Sequence, residues 1–215
     1  MIDSMGRLAV PLYHGTSSYF LAQIREHGLG GFRDSKLFDA EILANLAHAL
    51  DNTRNSTEWW EFNDFIVRAM LEQRVSDGGF NFRYGYTYLT PSKSTAHRYA
   101  TSNRLGSEFL TTIYQAYMAL ASINPVEAEN IVPNSHCLRT IFQETHRPVI
   151  LTLKNVAAGR LRTEQGNPIY EQLNQMISMR DSVSNIEPQV LWQQFNFELE
   201  GSIDWSHLDF SLLDD

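Results

Sequence analysis

Segments typical of β-strands lie far apart in this chain of 215 residues and are separated by helical patterns of unequal length. The run 147–154 is short and almost continuously apolar, as in a buried strand, whereas 189–199 ends in alternating apolar and polar residues. Apolar residues recur at helical spacing over 37–50, 58–74 and 106–122. Because repeated βαβ units would alternate strands and helices regularly, this arrangement favours an α+β fold.

No repeat, low-complexity tract or Pro/Gly/Ser-rich linker divides the chain. We therefore expect a single domain over 1–215, with a helical insertion at about 33–80. Hydrophobic residues make up 43% of the sequence, which is enough for one sizeable core, whereas two domains of this total length would each be small. The segment 166–179 shows no regular pattern, and we expect it to be less ordered in its secondary structure.

The composition limits the classes of function. Seventeen Lys+Arg against 25 Asp+Glu give a net charge of −8, which disfavours nonspecific binding to nucleic acid. The sequence has no apolar run of membrane-spanning length and no secretory signal pattern. Cys137 is the single cysteine, and the histidines lack zinc-site spacing, so we expect neither a disulfide nor a metal site. We expect a cytoplasmic protein, or one delivered into another cell without a classical signal.

The segment 8–17 runs from apolar residues into "HGTS", so that His14 and Gly15 follow a strand-like stretch directly. A histidine fixed at a strand end offers a hydrogen bond at a defined position, and a glycine lets the backbone approach a flat ligand. Thr16 adds a hydroxyl group near the positive end of the helix that follows. An ordinary turn explains the same residues, so both interpretations stay open at this point.

A second segment, "YLTPSKSTAHRYA" at 88–100, places Tyr88 at the end of a strand and Tyr99 in the helix that follows. Two such rings can enclose a flat aromatic group, with the hydroxyl groups of Thr90 and Ser94 nearby. Taken by itself, this pair of tyrosines is explained better by packing in the core. The two segments are more informative together than either is alone.

Together the two segments resemble the first two signature motifs of the ADP-ribosyltransferase superfamily, in the His-Tyr-Glu branch that includes diphtheria toxin and the poly-ADP-ribose polymerases. The resemblance implies a split, mixed β-sandwich that binds NAD as its substrate and needs no metal. It further implies that His14 binds a ribose hydroxyl group, that the Gly15 backbone binds the nicotinamide carboxamide, and that two tyrosines flank the nicotinamide ring. The implied NAD-binding residues are His14, Gly15, Thr16, Tyr88, Thr90, Ser94 and Tyr99.

The resemblance also implies a third catalytic group besides His14 and Tyr88, an acid or an amide on a late strand, which binds the 2′-hydroxyl of the nicotinamide ribose. Breaking the glycosidic bond gives an oxocarbenium-like ribose, so a negative or dipolar group aimed at it lowers the barrier. Our first candidate is Glu198 and our second is Gln194. Three further candidates are Gln193, Glu187 and Gln189, and a solvated residue on a strand face is the competing interpretation for each of the five.

The function that the resemblance implies is mono-ADP-ribosylation of a macromolecule with release of nicotinamide, as in a toxin or an effector of phage–host conflict. The net acidity favours a protein acceptor over nucleic acid, and an inhibitor or antitoxin is a further partner that fits such a role. The insertion would then recognise the target, and its Trp59–Trp60 pair is either a contact surface or core. The alternatives are an NAD glycohydrolase or 2′-phosphotransferase-like enzyme on the same fold, and a binding module without catalytic activity.

Overall fold

A computed structural model shows an α+β fold, as the sequence predicts. Helices of four to sixteen residues account for most of the regular structure, and the strands form two small antiparallel sheets. The residues whose structure is described are 1–32, 35–54, 56–75, 81–103, 105–183 and 186–213.

The chain folds into two compact units. Unit 1 consists of 1–32, 86–106 and 146–215, and unit 2 consists of 33–85 and 107–145. The expected insertion falls in unit 2, together with a later segment that the sequence pattern did not associate with it. Both predicted ends of that insertion, residues 33 and 80, lie outside the described residues.

The strands of unit 1 form two three-stranded sheets, with the orders β1-β3-β6 and β2-β5-β4. An isolated bridge joins β1 to the residue after β2, with mutual N–H···O distances of 2.8 and 2.9 Å between Tyr13 and Thr90. Every ladder among the described residues is antiparallel, so the mixed pairing implied by the resemblance is not seen there. The strands are β1 (Leu12–Ser17), β2 (Tyr88–Leu89), β3 (Pro148–Leu153), β4 (Leu161–Thr163), β5 (Phe197–Leu199) and β6 (Leu208–Leu212).

Four helices of unit 2 pack against one another, and one helix of unit 1 packs on its strands. The fourth helix packs on β1 and β3, where Ala96 forms an apolar cluster with Tyr13 and Ile150. The described helices are α1 (Leu21–His27), α2 (Ala40–Asp51), α3 (Glu58–Leu71), α4 (Lys93–Ser102), α5 (Glu108–Ile123), α6 (Pro125–Ile131), α7 (Cys137–Gln143), α8 (Tyr170–Ser182) and α9 (Pro188–Leu191).

Two sequence predictions of secondary structure are wrong. The segment 166–179 contains most of α8, whose Leu173 and Met176 are buried three residues apart. The segment 189–199 forms a strand only over its last three residues, because Pro188 begins α9, where its missing N–H costs no hydrogen bond. Trp192 joins these two regions, since its Nε1 donates to the Met176 carbonyl at 3.1 Å.

Candidate functional site

His14 lies on β1, and a backbone group of β2 fixes its ring. Its Nδ1 is 2.8 Å from the carbonyl oxygen of Tyr88. A carbonyl oxygen only accepts, so this bond assigns the hydrogen to Nδ1 and leaves Nε2 as an acceptor. Although part of its surface reaches solvent, desolvation by burial lowers the pKa of His14, against a smaller opposing effect of the Tyr88 carbonyl. His14 is therefore neutral at pH 7.

Gly15 has no space for a side chain, and the reason is helix packing. A Cβ at this position would lie 2.2 Å from the carbonyl oxygen of Ala96 and 3.0 Å from the backbone nitrogen of Ala100, both on α4. The side of Gly15 that lacks a Cβ thus faces α4. Our interpretation that the missing Cβ makes room for a flat ligand is therefore wrong, because helix backbone occupies that space.

The backbone groups of Gly15 point in a different direction, along the sheet. Tyr13 exchanges both of its backbone hydrogen bonds with Thr90, and in an antiparallel ladder this bonding direction alternates from residue to residue. The N–H and C=O of Gly15 therefore point to the same edge of β1 as those of Tyr13. Within the described part of the chain, Gly15 forms no backbone hydrogen bond at that edge. The expected contact of these groups with a carboxamide stays a prediction.

Strand β5 sets the position of Glu198. The residue opposite Glu198 on β2 is Tyr88, and the residue opposite it on β4 is Arg162. Directly opposed residues of antiparallel strands project from the same face of a sheet, so these three half-buried side chains share one face. Both neighbours of Glu198 in β5 are buried on the other face. His14 thus lies next to the backbone of Tyr88, whose opposed partner on β5 is Glu198.

The other four candidates for the third group lie outside β5. Gln194 is exposed and Gln193 is half-buried, and both precede the strand. Glu187 and Gln189 are exposed at the start of α9. Of the five candidates, Glu198 alone is the opposed partner of Tyr88.

The hydroxyl groups of the two segments take part in hydrogen bonds within the protein. Thr16 and Thr90 are buried: Thr16 Oγ1 lies 3.5 Å from the Gly106 carbonyl, and Thr90 Oγ1 accepts from the Ser92 N–H at 3.2 Å. Ser94 is exposed, with its hydroxyl 3.0 Å from that of Ser92. The bonds of Thr90 and Ser94 with Ser92 lie at the start of α4. Contacts of the three residues with NAD stay predictions.

Two further tyrosines, Tyr99 and Tyr86, have rings that reach solvent. Tyr99, on α4, is 38% exposed. Tyr86 is 40% exposed, and its ring centroid lies 6.4 Å from that of Tyr88. Sequence reasoning missed Tyr86 as a site residue, although the alternation "YGYTY" at 84–88 contains the signal.

Arg162 is a second residue that sequence reasoning missed. Its guanidinium donates to the carbonyl oxygens of Gly159 and Leu161 at 3.2 and 3.1 Å and pairs with Glu200 at 2.8 Å. The backbone register places Arg162 opposite Glu198 on β5. No pattern in the sequence marked the three-residue strand β4, so nothing pointed to Arg162.

Other features of the described residues add no second site of this kind. A cavity of about 230 Å³ adjoins the residues before β1, and its lining includes neither His14 nor Glu198. Among the described residues, no group of three or more His, Cys, Asp or Glu side chains is placed to hold a metal ion. The described helices include none that is both long and apolar enough to span a membrane.

No protein-family model, curated protein or solved structure significantly matches this chain. The resemblance carried by the two sequence segments therefore has no support from whole-chain comparison. Function must be argued from the geometry around His14, Tyr88 and Glu198.

Proposed function

We propose that this protein is an NAD-dependent ADP-ribosyltransferase that transfers ADP-ribose to a macromolecular acceptor and releases nicotinamide. The observation that carries the proposal is the pairing of Tyr88 with Glu198, next to the hydrogen bond from His14 to the Tyr88 carbonyl. The proposal takes the two sheets of unit 1 as the halves of a split β-sandwich. The edge of β1 beyond the Tyr13–Thr90 bridge is then the place where nicotinamide enters.

His14 supplies a hydrogen-bond acceptor to the ribose. Its Nδ1–H is held by the Tyr88 carbonyl, so Nε2 accepts from a ribose hydroxyl group, which is a donor. An imidazolium would present N–H at both nitrogens, so its Nε2–H would donate to the hydroxyl oxygen and the contact would change direction. The lowered pKa of His14, caused by its burial, keeps the acceptor form present at neutral pH.

The nicotinamide end is bound by backbone and by aromatic rings. A carboxamide has one N–H₂ donor and one carbonyl acceptor, which complement the C=O and N–H of Gly15 at the open edge of β1. The rings of Tyr88 and Tyr99 provide flat surfaces for the pyridinium, and Tyr86 extends that surface. The close packing of Gly15 on α4 fixes where this edge lies.

Glu198 acts on the bond that breaks. Its carboxylate binds the 2′-hydroxyl of the nicotinamide ribose and stabilises the positive charge that develops at the anomeric carbon. The bond from that carbon to nitrogen breaks, and its electron pair leaves with the nicotinamide. A lone pair of the acceptor then forms the new bond to the anomeric carbon, and the acceptor releases its proton to solvent. Removal of one such preorganised group typically lowers the rate by about 10²–10³-fold.

The test is nicotinamide release from NAD by the purified protein. We expect Glu198→Gln to lower the rate by about a hundredfold, because the amide keeps the shape and loses the charge. Gln194→Ala, at an exposed position before β5, is the matched control and should keep the wild-type rate. The proposal is wrong if the wild-type protein neither binds nor cleaves NAD. Equal rates in the two variants would remove Glu198 from the mechanism.

The acceptor is identified with NAD that is labelled in its ADP-ribose part, by finding which fraction carries the label after the reaction. The net charge of −8 favours a protein, so we expect the label in a protein fraction and not in RNA or DNA. Nicotinamide release with free ADP-ribose as the sole product would make the protein an NAD glycohydrolase. This result would leave the roles of His14 and Glu198 in place and would replace only the acceptor by water.

A further inference from the structure

One side of helix α3 in unit 2 is buried, and another side of the helix carries two exposed phenylalanine rings. Trp60, Val67 and Met70 are buried where α3 packs against α2 and α5. Phe62 and Phe65 are 72% and 60% exposed. Core packing is thus confirmed for Trp60, the second member of the tryptophan pair, whereas Trp59 is half-buried.

Two carboxylates accompany the two rings on the exposed side of α3. Phe62 and Phe65 are neighbours on the helix surface, and Glu58 and Glu61 precede them by one turn each. Both glutamates are exposed, and neither has a cationic partner among the described residues. The third acidic residue of α3, in contrast, is in an ion pair. We call Glu58, Glu61, Phe62 and Phe65 the α3 outer face.

The charge of unit 2 restricts what this face can bind. The ranges 33–85 and 107–145 contain 7 Lys+Arg and 13 Asp+Glu, a net charge of −6 out of −8 for the chain. A second copy would bring the same acidic face and be repelled, and the phosphates of nucleic acid would be repelled as well. A fitting partner is therefore both apolar and cationic.

We propose that the α3 outer face binds a basic amphipathic helix of another protein. The apolar stripe of such a helix covers Phe62 and Phe65, whose spacing matches the i, i+3 pattern of helix recognition. Lysine or arginine residues beside that stripe pair with Glu58 and Glu61. Exposed apolar groups rimmed by charge commonly mark protein-interaction surfaces. This proposal does not depend on the reaction proposed for unit 1.

The probe is a fluorescent 18-residue amphipathic helix of leucine and lysine, and its affinity is measured by anisotropy. We expect the double variant Phe62→Ser/Phe65→Ser to bind at least tenfold more weakly. Met118→Ser is the matched control, because Met118 is a 48% exposed apolar residue on another helix of unit 2. Glu58→Gln/Glu61→Gln should weaken binding at low salt, and high salt should remove the difference from the wild type. Circular dichroism checks that each variant is folded.

Four results would overturn the proposal. The first is failure of the wild-type protein to bind the probe, and the second is equal weakening by Met118→Ser. The third is a dimer in sedimentation that the Phe62/Phe65 double variant dissociates, which would make a second copy the occupant. The fourth is binding of a labelled single-stranded RNA that is lost in the same variant. Nicotinamide release is measured in the same double variant. An unchanged rate would show that the test of peptide binding at α3 is independent of the proposed function.

Discussion

The two sheets of unit 1 position different residues of the candidate site, and they do so by different contacts. Six opposed residue pairs join β1 to β3, whereas two pairs join β2 to β5 and three join β5 to β4. His14 and Gly15 are therefore fixed by a long ladder and by α4. Tyr88 and Glu198 rely on short ladders, and on the buried residues behind them. We infer that buried side chains behind the sheet of β2, β5 and β4, called the short sheet, control the position of Glu198. Close backbone contact between β1 and α4 controls the position of His14.

The largest expected effect is on the short sheet. Phe197 is fully buried between Leu89 and Thr163 on the face opposite Glu198. We expect Phe197→Ala to lower the free energy of unfolding by about 4 kcal/mol, because it leaves a cavity behind two short ladders. Urea denaturation measures this change. Phe210→Ala, at a 46% exposed position on β6, is the control and should cost less than about 1 kcal/mol. Similar losses in both variants would contradict the comparison.

The next effect concerns the long sheet. Gly15→Ala would place a Cβ 2.2 Å from the Ala96 carbonyl, and backbone cannot move aside as a flexible side chain does. We expect the free energy of unfolding to fall by about 2–3 kcal/mol. Gly159→Ala is the control, since a Cβ there meets no atom within 4 Å. If both substitutions leave the thermal midpoint unchanged, α4 does not pack on β1 as described.

The smallest expected effect is on the pH dependence of stability. Burial lowers the pKa of His14 in the folded protein below its unfolded value of about 6.5. Below about pH 6.5 the unfolded chain therefore binds a proton that the folded chain does not. As the pH falls, the free energy of unfolding then falls by at most about 1.4 kcal/mol per pH unit. Denaturation between pH 5 and 7.5 should show this slope in the wild type and a weaker slope in His14→Asn. The control variant His97→Asn, at an exposed position, should show the wild-type slope. A weaker slope in His97→Asn together with an unchanged slope in His14→Asn would contradict the assignment.

Much of the helical structure follows from local sequence, whereas the short strands do not. The apolar periodicities of α2, α3 and α5 are strong because each helix buries a stripe of residues. In α8 only Leu173 and Met176 are buried, so its pattern is weak. Strands of two or three residues, such as β2 and β4, are too short to show a period. Their positions depend on pairing with β5, which is a tertiary contact.

The candidate site was predictable in its residue types and not in its geometry. His14 and Tyr88 stand in recognisable segments, and the hydrogen bond between them joins residues 74 positions apart. The ranking of Glu198 above Gln194 did not rest on pairing, because strand register decides which residue opposes Tyr88. The explanation for the missing Cβ at Gly15 was also wrong, since the contact of Gly15 with Ala96 exists only after α4 packs on β1.

Our central proposal is that NAD binds beside His14, at the edge of β1 beyond the Tyr13–Thr90 bridge. The most direct measurement is a long-range ¹H–¹⁵N spectrum of the histidine rings during titration with NAD. We expect the His14 ring to be neutral with its hydrogen on Nδ1, and NAD to shift the Nε2 resonance, while the same concentration of ATP leaves it in place. A hydrogen on Nε2, or a His14 ring that does not respond to saturating NAD, would contradict the account.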